Sequence, residues 1–116
     1  MSALDQVSSA IRGHRFRYSD EEDLQEGIAA VLTAAGLDVQ REVILDERDR
    51  IDLLVGSVGI EVKVAGSAED ALRQLVRYAQ HPEIEQLVLV TSQYQRLPKV
   101  AGGKPLTTIS LALAAL

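Results

Sequence analysis

RIDLLVGSVGIEVKVAG, residues 50–66, holds two short apolar runs on either side of a glycine-bounded turn. Each run is too short for a helix, is rich in Val, Ile and Leu, and ends at Gly56 or begins at Gly59, which predicts a β-hairpin. Side chains alternate across a strand, so Glu61, Lys63 and Ala65 share one face while Ile60, Val62 and Val64 share the other. With Ser57 and Val58 as the two-residue loop, Gly56 pairs with Gly59, and Asp52 falls opposite Lys63 on the face of Glu61. Two carboxylates and one ammonium then converge inside an apolar hairpin. Burying charge is costly unless it is paired or bound to a metal, so an oxygen-lined pocket for a hard divalent cation is expected.

The elements on either side are readable. Ser19 with Glu22 makes a capping box and Gly36 a stop, which predicts a helix from Asp20 to Ala35 with Leu24, Ile28, Val31, Leu32 and Ala35 as its apolar stripe. Asp38 to Leu45 alternates as a strand, and Ser67 with Asp70 caps a second helix that runs to Gln80 and ends at His81-Pro82. LVLVT from Leu87 is a buried strand, residues 92–104 are loop or irregular helix, and a last strand spans Leu106 to Leu111. The result is an α/β (α+β) chain with an αβββαβ core: a mixed central β-sheet flanked by helices.

The 116 residues make one domain, 1–116, with residues 1–17 expected to be a flexible basic segment. The absence of cysteine excludes disulfides, thiolate metal sites and a Cys nucleophile, and two histidines are too few for a His-rich zinc site. No stretch has the apolar length of a membrane span or a signal peptide, so a cytoplasmic protein is expected. The formal charge of −5 argues mildly against non-specific nucleic-acid binding, yet Arg12, His14, Arg15 and Arg17 form a basic stretch, and Arg73 and Arg77 lie together. A bound cation would offset part of the acidic total.

Asp52, an eight-residue gap, and then Glu61-Val62-Lys63, with an acidic helix before and RQLVRY on a helix after, resemble the PD-(D/E)XK nuclease superfamily. The likeness covers roughly Tyr18 to Leu111. The small size is similar to resolvase-like or phage- and prophage-type stand-alone nucleases. Ile51 precedes Asp52 where the superfamily's name pattern has Pro. The resemblance implies a restriction-endonuclease-like fold and a metal-dependent DNA nuclease, with Mg2+ as the ion and Mn2+ as a substitute. It also implies that Asp52, Glu61 and the Val62 carbonyl ligate the metal, and that Lys63 stands beside the attacking water as base or electrostatic stabiliser.

Helix geometry adds further candidates. At about 100° per residue, Glu21 falls on the flank of the Leu24/Ile28/Leu32 stripe with Gln25 one turn later, whereas Glu22 and Glu26 point away. Glu21 is thus the expected outer metal ligand, with Gln25 beside it. On the second helix Gln74 and Tyr78 are one turn apart, as are Arg73 and Arg77; the resemblance implies that Gln74 orients the phosphate or the water, and Arg73, Arg77 and Tyr78 would join Arg15 and Arg17 on DNA. Glu42 is an additional candidate from the first strand, while His14 and His81 are expected in a tail and at a helix end.

The expected activity is endonucleolytic phosphodiester hydrolysis on double-stranded or branched DNA. It would be carried out by a homodimer with ISLALAAL, residues 109–116, as its interface. The alternative is a catalytically inactive nuclease-like DNA-binding or assembly module. A phosphate-loop regulator is disfavoured because Gly102-Gly103-Lys104 lacks the required spacing and helix.

Overall fold

The computed structural model describes residues 1–114. Its helices are α1 (Ala3–Arg12), α2 (Glu21–Ala34), α3 (Ala68–Ala79) and the short α4 (Leu111–Ala114); its strands are β1 (Val39–Ile44), β2 (Arg50–Val55), β3 (Val58–Lys63), β4 (Gln86–Thr91), β5 (Val100–Ala101) and β6 (Lys104–Ser110). From α2 to β4 the order is α-β-β-β-α-β. The strands form one mixed sheet in the order β1-β2-β3-β4-β6-β5. β1, β2 and β3 are antiparallel neighbours, β3, β4 and β6 run parallel, and β5 folds back antiparallel on β6.

Alternation along the central strands divides the core. Leu53, Val55, Ile60, Val62, Val88 and Val90 pack with α1 and α2, whereas Leu54, Leu87, Leu89 and Leu106 pack with Leu75 and Tyr78 of α3. The sheet is therefore covered on both faces. Among the described residues no helix is long and apolar enough to cross a membrane.

The N-terminal segment is not the flexible tail its charges suggest. Ser2 and Asp5 form a reciprocal capping box, and Val7 and Ile11 are completely buried one turn apart against the α2 side of the sheet. That apolar spacing outweighs the basic run, which begins only at the end of α1. Ile11→Ala is expected to destabilise the fold by about 2–5 kcal/mol in a denaturant titration, as for other large-to-small changes in a packed core.

The hairpin turn also differs from expectation. Val55 pairs with Val58, so the two-residue loop is Gly56-Ser57 and not Ser57-Val58. Such a loop requires positive φ at its first position; Gly56 supplies it at φ 58, and Val58 stays buried in the strand. The register moves by two positions, which preserves the faces but sets Asp52 opposite Glu61 instead of Lys63.

Smaller corrections have equally local causes. Asp20, rather than Ser19, caps α2, because its carboxylate accepts the Asp23 N–H at 2.8 Å while the Ser19 hydroxyl donates to the Asp23 carboxylate. Ala35 of the expected stripe is an exposed C-cap, and Gln25 and Ala29 take buried positions instead. Within residues 92–104, Val100 and Ala101 pair with Pro105 and Lys104. The expected interface at ISLALAAL is divided: Ile109 is buried in the core, Leu111 begins α4, and residues 115 and 116 lie outside the described residues.

Candidate functional site

The β2–β3 ladder stops at Leu53 and Ile60, and beyond it side chains replace backbone partners. Asp52 Oδ2 accepts the Val62 N–H at 2.8 Å, and Glu61 Oε1 accepts the Asp52 N–H at 3.3 Å. Each carboxylate thus reaches across to the facing strand, holding the hairpin open while placing the two acids side by side. Glu21, at the start of α2, repeats the device one step along β3: its Oε1 accepts the Val64 N–H at 3.2 Å. Gln25, one turn further, is buried and donates from Nε2 to the Asp52 carbonyl at 3.3 Å. Glu22 and Glu26 are exposed, in keeping with the helix geometry.

From the other face α3 closes on Glu61. Tyr78 is 1% exposed, and its hydroxyl lies 3.0 Å from the Arg50 carbonyl and 3.4 Å from Glu61 Oε2. Gln74 Nε2 donates to that hydroxyl at 2.6 Å. Lys63 Nζ stands 3.5 Å from Glu61 Oε2 at the half-buried end of β3. Glu21, Gln25, Asp52, Glu61, Lys63 and Gln74 therefore form one connected group at the open end of the hairpin.

Burial dominates the electrostatics. It pushes the Asp52 carboxyl above its usual range, with the charge of Glu21 adding to the rise and the Val62 N–H opposing it. Glu61 is pushed up to about 8, first by burial and then by the neighbouring Asp52, with Lys63 pulling the other way. Burial, and then the charge of Glu61, raises Tyr78 as well. Two acids that resist simultaneous ionisation share one ammonium partner, so the site carries an excess of oxygen ligands over cations. That donor set suits a hard divalent ion.

Several expected contacts fall elsewhere. Tyr78 is buried and cannot lie on DNA; its ring belongs to the α3 core and its hydroxyl to Glu61. Arg77 Nε is paired with Asp49 Oδ1 at 3.1 Å, and Arg73 with Asp70. Arg15 and Arg17 are exposed between α1 and α2. Glu42 is exposed at φ 50, at the β1 position facing Asp52 where regular pairing is missing, and no hydrogen bond ties it to the group. Val62 is completely buried, with its N–H on Asp52.

Sequence reading missed Asp49. It is 5% exposed and lies between Arg77 and His81, whose Nε2 is 3.2 Å from Asp49 Oδ2 and 3.4 Å from Asp46 Oδ2. Asp46, Asp49 and His81 are the one group among the described residues in which three such ligand atoms lie within 4.8 Å of one another, so a metal can be accommodated there too. The Asp46-x-x-Asp49 spacing was visible, but an acidic turn ordinarily faces solvent. Arg77→Ala leaves Asp49 with His81 alone and is expected to cost about 1–3 kcal/mol in a thermal melt. Comparison with family models, curated proteins and solved structures finds no match to this chain.

Proposed function

We propose that the protein is a metal-dependent DNA nuclease of restriction-endonuclease-like architecture. The observation that carries this reading is the facing pair Asp52 and Glu61 at the opening of a buried hairpin, with the Lys63 ammonium 3.5 Å from Glu61. As a purely structural ion-pair network the arrangement stabilises little, since the half-buried Asp52 and the buried Glu61 have one base between them. As a cation and phosphate site it is coherent. Asp52 and Glu61 would hold Mg2+ or Mn2+, with the Val62 carbonyl and Glu21 completing the protein's ligands. When bound, the ion would supply charge neutralisation and an activated water for phosphodiester hydrolysis.

The chain's own groups divide the remaining work. Lys63 offers an ammonium beside the carboxylates, where charge develops on the phosphate. Tyr78 fixes the Glu61 carboxylate from behind, and Gln74 fixes Tyr78. Gln25 anchors the Asp52 backbone, so that α2 and α3 both hold the hairpin open.

A second reading has its own observation. Asp52, Glu61 and Glu21 each accept a backbone N–H, as an inactive binding or assembly module would also require. The two are separated by incubating the protein with supercoiled, linear, single-stranded and four-way-junction DNA in Mg2+ or Mn2+. Cleavage above that of a Lys63→Ala control supports the nuclease; no cleavage of any substrate in either metal supports the module.

A further inference from the structure

The last turn of α1, residues 94–97 and the end of β6 line a half-open cleft of about 570 Å³, within the range of about 300–1,000 Å³ typical of small-ligand clefts. Among the described residues its lining contains two guanidinium groups, Arg12 and Arg96, and no carboxylate. In a chain of net charge −5 that local balance selects an anionic ligand. Tyr94 adds an aromatic ring that is 57% exposed, with Arg96 Nε 3.2 Å from its hydroxyl. Ile109 and Leu97 supply apolar surface. Gln95 and Thr108, also in the lining, carry the buried atoms Gln95 Oε1 and Thr108 Oγ1, neither of which has a hydrogen-bond partner. Cationic groups, a free aromatic face and unsatisfied polar atoms match the phosphate, the ring face and the polar edge of a nucleotide.

The cavity is tied to the candidate metal site. Lys63, Thr91 and Ser110 are register neighbours across the parallel strands β3, β4 and β6, so the backbone of Ser110, a lining residue, lies two strand spacings, about 10 Å, from that of Lys63. That is about three base rises of a stacked strand. The loop after β4 is fastened at its start, to the end of β3 on one side and to β6 on the other. Ser92 donates from N–H to the Lys63 carbonyl and from Oγ to the Val64 carbonyl, each at 3.0 Å, while the Ser110 hydroxyl donates to the Gln93 carbonyl at 2.8 Å.

We infer that this cavity receives one unpaired nucleotide of the strand whose phosphodiester lies at Asp52 and Glu61, an inference that rests on the nuclease reading. A paired base cannot enter such a cavity without leaving its partner. The substrate class is therefore single-stranded DNA or DNA with an unpaired nucleotide beside the cut, and a blunt duplex is disfavoured.

The test measures binding in EDTA at low salt, where no cleavage intervenes. The probes are a single-stranded oligonucleotide carrying 2-aminopurine and the blunt duplex of the same sequence. The expected result is tighter binding of the single strand with 2-aminopurine quenching, and about tenfold weaker binding of that strand by the Tyr94→Ala/Arg96→Ala double variant. Both side chains are exposed, so the variant's thermal melt should match the parent's. Equal affinity of the parent for strand and duplex, or a double variant that binds the strand as the parent does, overturns the inference. Selective binding lost in the variant, together with no cleavage in Mg2+ or Mn2+, sustains the cavity and overturns the nuclease reading.

Discussion

Glu61→Gln is expected to lower metal-dependent DNA cleavage by at least about 100-fold while leaving the fold in place. The substitution is nearly isosteric. Its amide oxygen can still accept the Asp52 N–H and its position against Tyr78 is kept, so the open hairpin survives. What disappears is the negative charge that would ligate a cation and pair with Lys63. Cleavage of the preferred DNA at saturating Mg2+, alongside a thermal melt of parent and variant, checks this. Retained activity with an unchanged melt would remove Glu61 from the chemistry and take the proposed function with it.

Metal-free protein is expected to lose stability as pH rises from about 5 to 8, and Asp52→Asn is expected to suppress that loss. Glu61 titrates at about 8 in the folded chain against an ordinary 4.5, so between these values the folded state binds more protons than the unfolded state. Its contribution is fully present below the unfolded value and disappears as pH passes through the folded one, with a slope of up to about 1.4 kcal/mol per pH unit. Asp52 shifts in the same direction and steepens the trend. An asparagine at position 52 can keep the Val62 N–H bond through its oxygen and direct its amide toward Glu61, removing the like-charge repulsion. Denaturant titrations in EDTA should therefore show the variant more stable than the parent at pH 8, by roughly 1–3 kcal/mol, and nearly equal at pH 5. Added Mg2+ should stabilise the parent at pH 8 and leave the variant largely unaffected. A variant that is less stable at pH 8 would instead mark Asp52 as a member of a structural network.

The hairpin, the faces of its side chains, both central helices and β4 were legible because each rests on a short-range pattern: alternation, capping residues and glycine at turns. The choice of Glu21 and Gln25 over Glu22 and Glu26 was also local, since helix rotation decides which acid can face the sheet. α1 carried its own signal in Ser2, Asp5, Val7 and Ile11, but the adjoining charges hid it. The loop was misplaced by one residue because two glycines bracket it, and only the positive φ of Gly56 chooses between them.

Residue types and spacing by themselves determined that Glu61 and Lys63 share one strand face, and a two-residue loop brings Asp52 to that face, because side chains alternate along each strand. Only the tertiary structure decided what meets that face. The burial of Tyr78 against Glu61, the capture of Arg77 by Asp49, and the parallel alignment of Lys63, Thr91 and Ser110 all join residues 17 or more positions apart. Such contacts are set by how α3 and β6 dock on the sheet, which depends on the whole core at once and leaves no local periodicity to read.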